Sequence, residues 1–267
     1  MRNMAILEEA VVLSNQAVGE DLWEMELFAP KMAPLCEPGQ FLQVRVGEQI
    51  APLLRRPISI YDAKDGVIRL LYRIVGNGTE ILSEKKAGNK ISLQGPLGKG
   101  FHLSKSPEEV LLVGGGVGIA PLLLLARRQR ERGSEVTVVY GAANRAQVVG
   151  EKHFLDLGVK FLVSTMDGSY GVQGMVTDIL QFLPLGNMRR IYTCGPEPMM
   201  KAVTLWARQK GLKGEVSMEA NMACGVGACL GCACKLNEND TNYKKVCKDG
   251  PVFSMDEVYG GTKGGRG

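Results

Sequence analysis

Cys224, Cys229, Cys232 and Cys247 follow the spacing C-x4-C-x2-C-x14-C, and nothing else in the chain restricts its folding so strongly. Four thiols so arranged demand that the intervening backbone wrap around one small object. Gly225, Gly227 and Gly231 let the loop bend, so backbone N–H groups can face the sulfurs. The spacing is that of plant-type [2Fe–2S] proteins. Tetrahedral zinc is the first alternative, although zinc sites usually bring cysteines as two short pairs and Cys247 arrives alone. Disulfides are a third, disfavoured in a reducing compartment. Cys234, two residues past Cys232, would face the same side of an extended segment and could replace it, but the C-x2-C spacing favours Cys232. Cys36 lies far from any motif and reads as a buried thiol.

The compartment follows from what the chain lacks. The longest apolar run, Ile119 to Ala126, is too short to span a bilayer. The N-terminus has no signal-peptide core, so a cytoplasmic location is expected, with no membrane partner. The net charge of +4 is spread without a basic block, which argues against nucleic acid. The length of 267 residues suggests two domains and a small third module.

Residues 1–102 carry short strand patterns. In "DLWEMELF", Trp23, Met25 and Leu27 alternate with Glu24 and Glu26; in "FLQVRV", Leu42, Val44 and Val46 alternate with Gln43 and Arg45. "RPISIYD", "GVIRLLYRIV" and "KISLQGPLG" complete an antiparallel barrel, with one helix expected over 79–86. Residues 103–213 alternate buried strands and helices, the pattern of a parallel sheet covered on both faces. Residues 214–260 form the cysteine module. The glycine-rich tail, 261–267, is expected to be disordered.

Within this frame, "LLVGGGVGIAPL" sets Gly114, Gly115, Gly116 and Gly118 between a strand and a helix, where backbone N–H groups can meet a phosphate. Pro121 stands where a third packing glycine would be expected. "YTCGPEPMM" puts Cys194, Gly195 and Pro196 at a strand end, the usual ligand edge of an open α/β sheet. In "RRPISIYD", Arg56 could hold a phosphate in its guanidinium fork, or be a solvated edge residue. His102 and His153 belong to no catalytic constellation, so no acid–base or nucleophilic residue is assigned.

In order, R-x-x-S at Arg56–Ser59, G-x-G-T at 76–79, "GGGVGIAPL", "CGPEPMM", "ACGVGACLGCACK" and "VCKDGPVF" resemble the ferredoxin–NADP reductase superfamily, and within it the electron-transfer subunits of class B dihydroorotate dehydrogenases. The resemblance runs to about Tyr259. It implies a barrel carrying FAD, an α/β domain taking NAD, and a C-terminal [2Fe–2S] module. Arg56, Pro57, Ile58 and Ser59 would hold the FAD pyrophosphate and isoalloxazine edge. Leu71, Tyr72 and Arg73 would line the flavin, and Gly78 and Thr79 would bind its phosphates. Ile58 replaces the tyrosine common in the wider superfamily. Cys224, Cys229, Cys232 and Cys247 would be the cluster ligands. The implied partner is an FMN-containing catalytic subunit, two copies of each chain forming a heterotetramer in pyrimidine (UMP) biosynthesis. The implied activity is that of an oxidoreductase subunit: electrons leave that FMN, cross the cluster, and reach NAD⁺ through FAD. A ferredoxin-, sulfur- or hydrogenase-linked NAD(P)H reductase and a zinc-bound docking module are the competing readings. NADP in place of NAD stays open because of Arg145.

Overall fold

The computed structural model describes residues 5–47, 52–236 and 241–260; the expected disordered tail lies outside them. β1 (Ile6–Gly19), β2 (Leu22–Phe28), β3 (Phe41–Val44), β4 (Arg56–Lys64), β5 (Val67–Arg73) and β6 (Lys90–Leu97) close a barrel in the order β1-β2-β5-β4-β3-β6. All its pairings are antiparallel. Met25, Leu27, Leu42 and Val44 are fully buried in its core, as their alternation predicts. The alternate faces of β2 and β3 are not simply solvated. Glu24 is covered by His153, whose Nε2 lies 3.0 Å from a Glu24 carboxylate oxygen, and Gln43 is buried too.

β1 is absent from the sequence expectations. Register shifts at Val12/Ser14 and Ala17/Gly19 break its two-residue period. The helix expected over 79–86 is α1 (Asn77–Ser83), starting two residues earlier. Thr79 lies inside it, its hydroxyl accepting the Val75 N–H and donating to the Gly76 carbonyl.

The second layer is a sheet in the order β10-β9-β8-β7-β11-β12-β15. Its parallel strands are β7 (Glu109–Gly115), β8 (Glu135–Ala142), β9 (Lys160–Thr165), β10 (Val172–Gln173), β11 (Arg190–Cys194) and β12 (Lys213–Ser217). The helices between them are α2 (Ala120–Glu131), α3 (Glu151–Leu155), α4 (Val176–Phe182) and α5 (Glu197–Gln209). The first half of α2 is buried all round, because the helix lies between the sheet and the barrel, with Leu124 in the barrel core. Arg127 on α2 donates to both carboxylate oxygens of Asp62 on β4, at 2.8 and 2.6 Å.

After β12, which straddles the expected division at 213/214, the cysteine segment leaves the sheet edge. It forms the short pair β13 (Ala233–Cys234) and β14 (Lys244–Lys245), then α6 (Val246–Asp249). It returns as β15 (Val252–Ser254), antiparallel to β12, before α7 (Met255–Tyr259). Lys99, just past the barrel, donates its N–H to the Gly250 carbonyl at 2.6 Å, tying the segment to both domains. No helix among the described residues is long and apolar enough to cross a membrane.

Candidate cofactor clefts and cysteine centre

The turn after β5 brings one end of the barrel against the glycine loop of the sheet, and a cleft of about 440 Å³ opens there. That volume lies in the range of small-molecule sites. Arg56, Pro57, Ile58 and Ser59 from β4, Leu71, Tyr72 and Arg73 from β5, and Thr79 all line it. Gly78 lies just behind, and a methyl group on it would strike the Arg56 guanidinium, which packs flat over that glycine. Arg56 Nη1 donates to the Leu54 carbonyl at 2.5 Å, which aims the fork. Thr79 spends its own N–H on Gly76, so it shapes the turn rather than offering that N–H to a ligand. Tyr72 is held by a 2.9 Å hydrogen bond from its hydroxyl to the Asn15 side-chain oxygen, and Asn15 is anchored by three carbonyls near the end of α1. Burial pushes the Tyr72 phenol up, so it stays neutral.

The opposite wall was not legible in the sequence. Phe41, Val117, Pro251 and the stretch from Ser217 to Met222 supply it. Val117 and Pro251 lie within "GGGVGIAPL" and "VCKDGPVF", but no local pattern marks Phe41 or the Ser217–Met222 stretch, which only its position just before Cys224 hints at.

A second cleft of about 330 Å³ adjoins the first. Gly115, Gly116 and Gly118 face Gly195 and Pro196 across it, with Glu197, Met200 and Tyr259 beyond. Gly114 and Cys194 lie behind this wall rather than on it. Cys194 is 1% exposed, and burial raises its thiol far above the usual range. The tight helix–strand packing expected of a third glycine falls to Gly118, since a methyl there would sit 2.6 Å from the Cys194 carbonyl carbon. Pro121 is buried in the first turn of α2, where its missing N–H costs nothing.

Arg73, Val117, Met218 and Glu219 line both clefts. Arg73 Nε is buried without a hydrogen-bond partner, so the cleft presents a cationic donor in want of an acceptor such as a phosphate or a ring carbonyl. Glu219 is exposed at the cleft rim, where the protein around it strips part of its carboxyl's hydration and raises it above the usual carboxylate range, and Arg73 opposes that rise.

The four spaced cysteines form two pairs. Cys229 and Val226 donate backbone N–H groups to Cys224 Sγ at 3.4 Å. Cys232 and Cys247 Sγ lie 3.2 Å apart, and the Cys247 N–H points at Cys232 Sγ from 3.5 Å. The N–H donors hold the Cys224 thiol down, to about 6, while burial and the Cys232 thiol push Cys247 up to about 12. Among the described residues no three Cys, His, Asp or Glu side chains converge on one point as a single metal ion requires. Four thiols gathered in this way are a donor set that fits an iron–sulfur cluster. Cys234 sits on β13, half-buried, and is not among the sulfurs so paired. Met222, two residues before Cys224, and Pro251, four after Cys247, line the first cleft, so the cleft wall is continuous along the chain with the cysteine centre.

His102 and His153 stay outside the clefts. His102 Nδ1 lies 2.5 Å from a Glu215 carboxylate oxygen, and His153 bridges to Glu24. Arg145 stacks over Tyr170 at 4.2 Å and pairs with Glu151 at 3.6 Å, which partly neutralises its charge.

Residues 219–259 match the family model described as the iron-sulfur cluster binding domain of dihydroorotate dehydrogenase B. Residues 112–204 match an oxidoreductase NAD-binding domain. The dihydroorotate dehydrogenase B (NAD(+)) electron transfer subunit of Geobacillus thermodenitrificans is 42% identical over 255 residues, covering 94% of this chain and 98% of that one. Its counterpart from Shouchella clausii is 43% identical, covering 92% and 96%. Among solved structures, a chain of an NADH-dependent reduced ferredoxin–NADP oxidoreductase superposes with a TM-score of 0.83 at 32% identity, covering 97% of this chain and 91% of that one. The ferredoxin reductase of carbazole 1,9a-dioxygenase, at 22% identity and TM-score 0.65, shares the fold over 79% of this chain and 68% of its own. The chain belongs to the dihydroorotate dehydrogenase B electron transfer subunits, the oxidoreductase family that couples such a cysteine centre to an NAD-binding domain.

Proposed function

We propose that this subunit carries electrons from an FMN-containing dihydroorotate dehydrogenase catalytic subunit to NAD⁺, through a [2Fe–2S] centre and FAD, within pyrimidine biosynthesis. The observation that carries the reading is the continuity of the three sites. The two clefts share Arg73, Val117, Met218 and Glu219, and Met222 and Pro251, which flank Cys224 and Cys247 in the chain, line the first cleft. Bound FAD and cluster would supply the exchange between one-electron and two-electron carriers that this route needs.

The chain's own residues then have distinct tasks. Arg56, aimed by Leu54 and seated on Gly78, holds the flavin pyrophosphate. Pro57, Ile58, Ser59, Leu71 and Tyr72 fix the ring system in the cleft. Arg73 offers its unpaired Nε at the seam between flavin and nicotinamide. Gly115, Gly116 and Gly118 let the NAD phosphates approach the backbone, and Gly195 and Pro196 bound the nicotinamide end. Cys224, Cys229, Cys232 and Cys247 would hold the [2Fe–2S] centre. The partner docks over the exposed Cys229 side of the loop, in an assembly of two copies of each chain.

The test is co-purification of the chain with the catalytic subunit, followed by dihydroorotate-dependent reduction of NAD⁺. Iron, acid-labile sulfide and FAD are expected in a ratio of 2:2:1, as the composition of one [2Fe–2S] centre and one flavin requires. Cys247→Ser should abolish partner-linked reduction and iron retention while leaving FAD bound. Full iron retention in Cys247→Ser with loss in Cys234→Ser would overturn the ligand set.

A second reading, a reductase working with ferredoxin, draws on the 32% identity to the NADH-dependent reduced ferredoxin–NADP oxidoreductase chain. It requires turnover with reduced ferredoxin and none with the dihydroorotate-oxidising partner.

A further inference from the structure

β3 is a barrel strand whose inward residues, Leu42 and Val44, belong to the barrel core. Its outward residues, Phe41 and Gln43, should meet solvent in an isolated barrel. Both are buried instead, because the cysteine segment covers them. Phe41 is apolar and gains by that burial. Gln43 is not: it is 0% exposed, and both Nε2 and Oε1 lack any hydrogen-bond partner. A buried primary amide without partners has surrendered its water for nothing, and such groups in native proteins call for an explanation.

Its surroundings supply one. The side chain runs up against Gly225, the residue after Cys224. A methyl group there would lie 2.8 Å from Gln43 Cγ and 3.0 Å from Nε2. Gly225 has φ of +69°, so glycine serves both the turn of the loop and the approach of the amide. In the pairing of β3 with β4, Gln43 stands opposite Pro57 of the flavin-side cleft. The Arg55 guanidinium donates to the Gln43 backbone carbonyl at 3.3 Å, which fixes the strand but leaves the side chain free. The amide therefore spans from a strand paired to the flavin wall to the first turn of the cysteine loop.

We infer that Gln43 is a positioning and tuning residue for the iron–sulfur centre, its carboxamide N–H donating to a sulfur of the bound cluster beside Cys224. The inference rests on the [2Fe–2S] reading above. Donors to cluster sulfurs stabilise the reduced, more negative state and raise the reduction potential. Gln43 thus sets how readily the centre accepts an electron, and keeps it in register with the flavin strand.

The experiment uses the full chain reconstituted anaerobically with iron and sulfide, grown with glutamine carrying ¹⁵N at the side-chain amide. Pulsed EPR of the reduced protein should show a ¹⁵N coupled to the cluster spin, lost in Gln43→His. Potentiometric titration should move Gln43→Leu to more negative potential, with a roughly tenfold lower reduced-to-oxidised ratio at the wild-type midpoint. Gln43→His, which keeps an N–H donor of similar reach, should recover most of that shift. Iron, sulfide and FAD contents should match the wild type in the variants compared. A wild-type cluster signal without ¹⁵N coupling overturns the inference and leaves the [2Fe–2S] reading intact, as does Gln43→Leu titrating at the wild-type potential. Should Gln43→Leu fail to retain iron, the wild-type coupling and its loss in Gln43→His decide the matter. Wild-type protein that takes up no iron and sulfide overturns the cluster reading itself.

Discussion

At Cys224 the structure makes a chemical commitment before any metal arrives. N–H groups from Cys229 and Val226 aim at its sulfur and hold the thiol down to about 6 from 9.0. A depressed value means a stabilising contribution that is complete above the unfolded value and is lost as pH falls through the folded one. In cluster-free protein this contribution should therefore fade between about pH 9 and pH 6. Iodoacetamide at pH 7 should label Cys224 well before Cys36, whose burial pushes it up to about 12, and the Cys224 rate should fall as pH drops through 6. Peptide mapping after a short pulse checks both statements; equal labelling of Cys36 and Cys224 would contradict them. A second commitment is made at Gly78. Gly78→Ala would push the Arg56 guanidinium off its seat. The loss of a charge-assisted contact of about 1.5–3 kcal/mol should weaken FAD binding by roughly 10–100-fold, read by flavin fluorescence titration, with little change in melting temperature.

Among the elements, the turn from β7 to α2 bears most directly on nucleotide binding. Gly118→Ala would set a methyl against the Cys194 carbonyl of β11 and force two buried elements apart. Overpacking of this kind costs about 1–3 kcal/mol. Calorimetry should show a lower melting temperature, and NAD affinity should fall more than FAD affinity, because only the second cleft is lined by Gly118. Such turns were legible in the sequence because glycine between a buried strand and a helix is a local signal. β2 and β3 were legible through a two-residue period, and β4 and β5 as runs rich in strand-forming residues on either side of a turn. β1 was not, since its bulges shift that period, and β15 was not, since three residues carry no pattern of their own. The cysteine-rich segment could be read directly from its spacing, while the places of Phe41, Met218 and Glu219 could not. Their places in the clefts come from contacts between strands far apart in the chain, and no local residue pattern encodes them.

For the whole molecule, the decisive joint is between barrel and sheet. Asp62 and Arg127 form a two-pronged pair across it, with side chains 5% and 18% exposed. Arg127→Met would strand the Asp62 carboxylate and should cost about 3 kcal/mol, seen as a melting temperature several degrees lower. Replacing both, Asp62→Leu with Arg127→Met, should recover much of that loss; a double variant as unstable as the single would mean that the pair does more than balance charge. The other joint lies at the sheet's far edge, where Ser217 and Val252 stand side by side on antiparallel strands. The metal-holding segment is thus an excursion with neighbouring points of departure and return, much as a loop of rope is tied off at one cleat. Cutting the chain after Ser217 would strip the rim of the sheet along with the iron, whereas splicing Ser217 to Val252 through a tight turn would lift out the segment and keep the rim. Surgery of the second kind also removes Met218 to Met222 and Pro251, one wall of the first cleft, so the fold should survive it while flavin affinity falls together with partner-linked reduction.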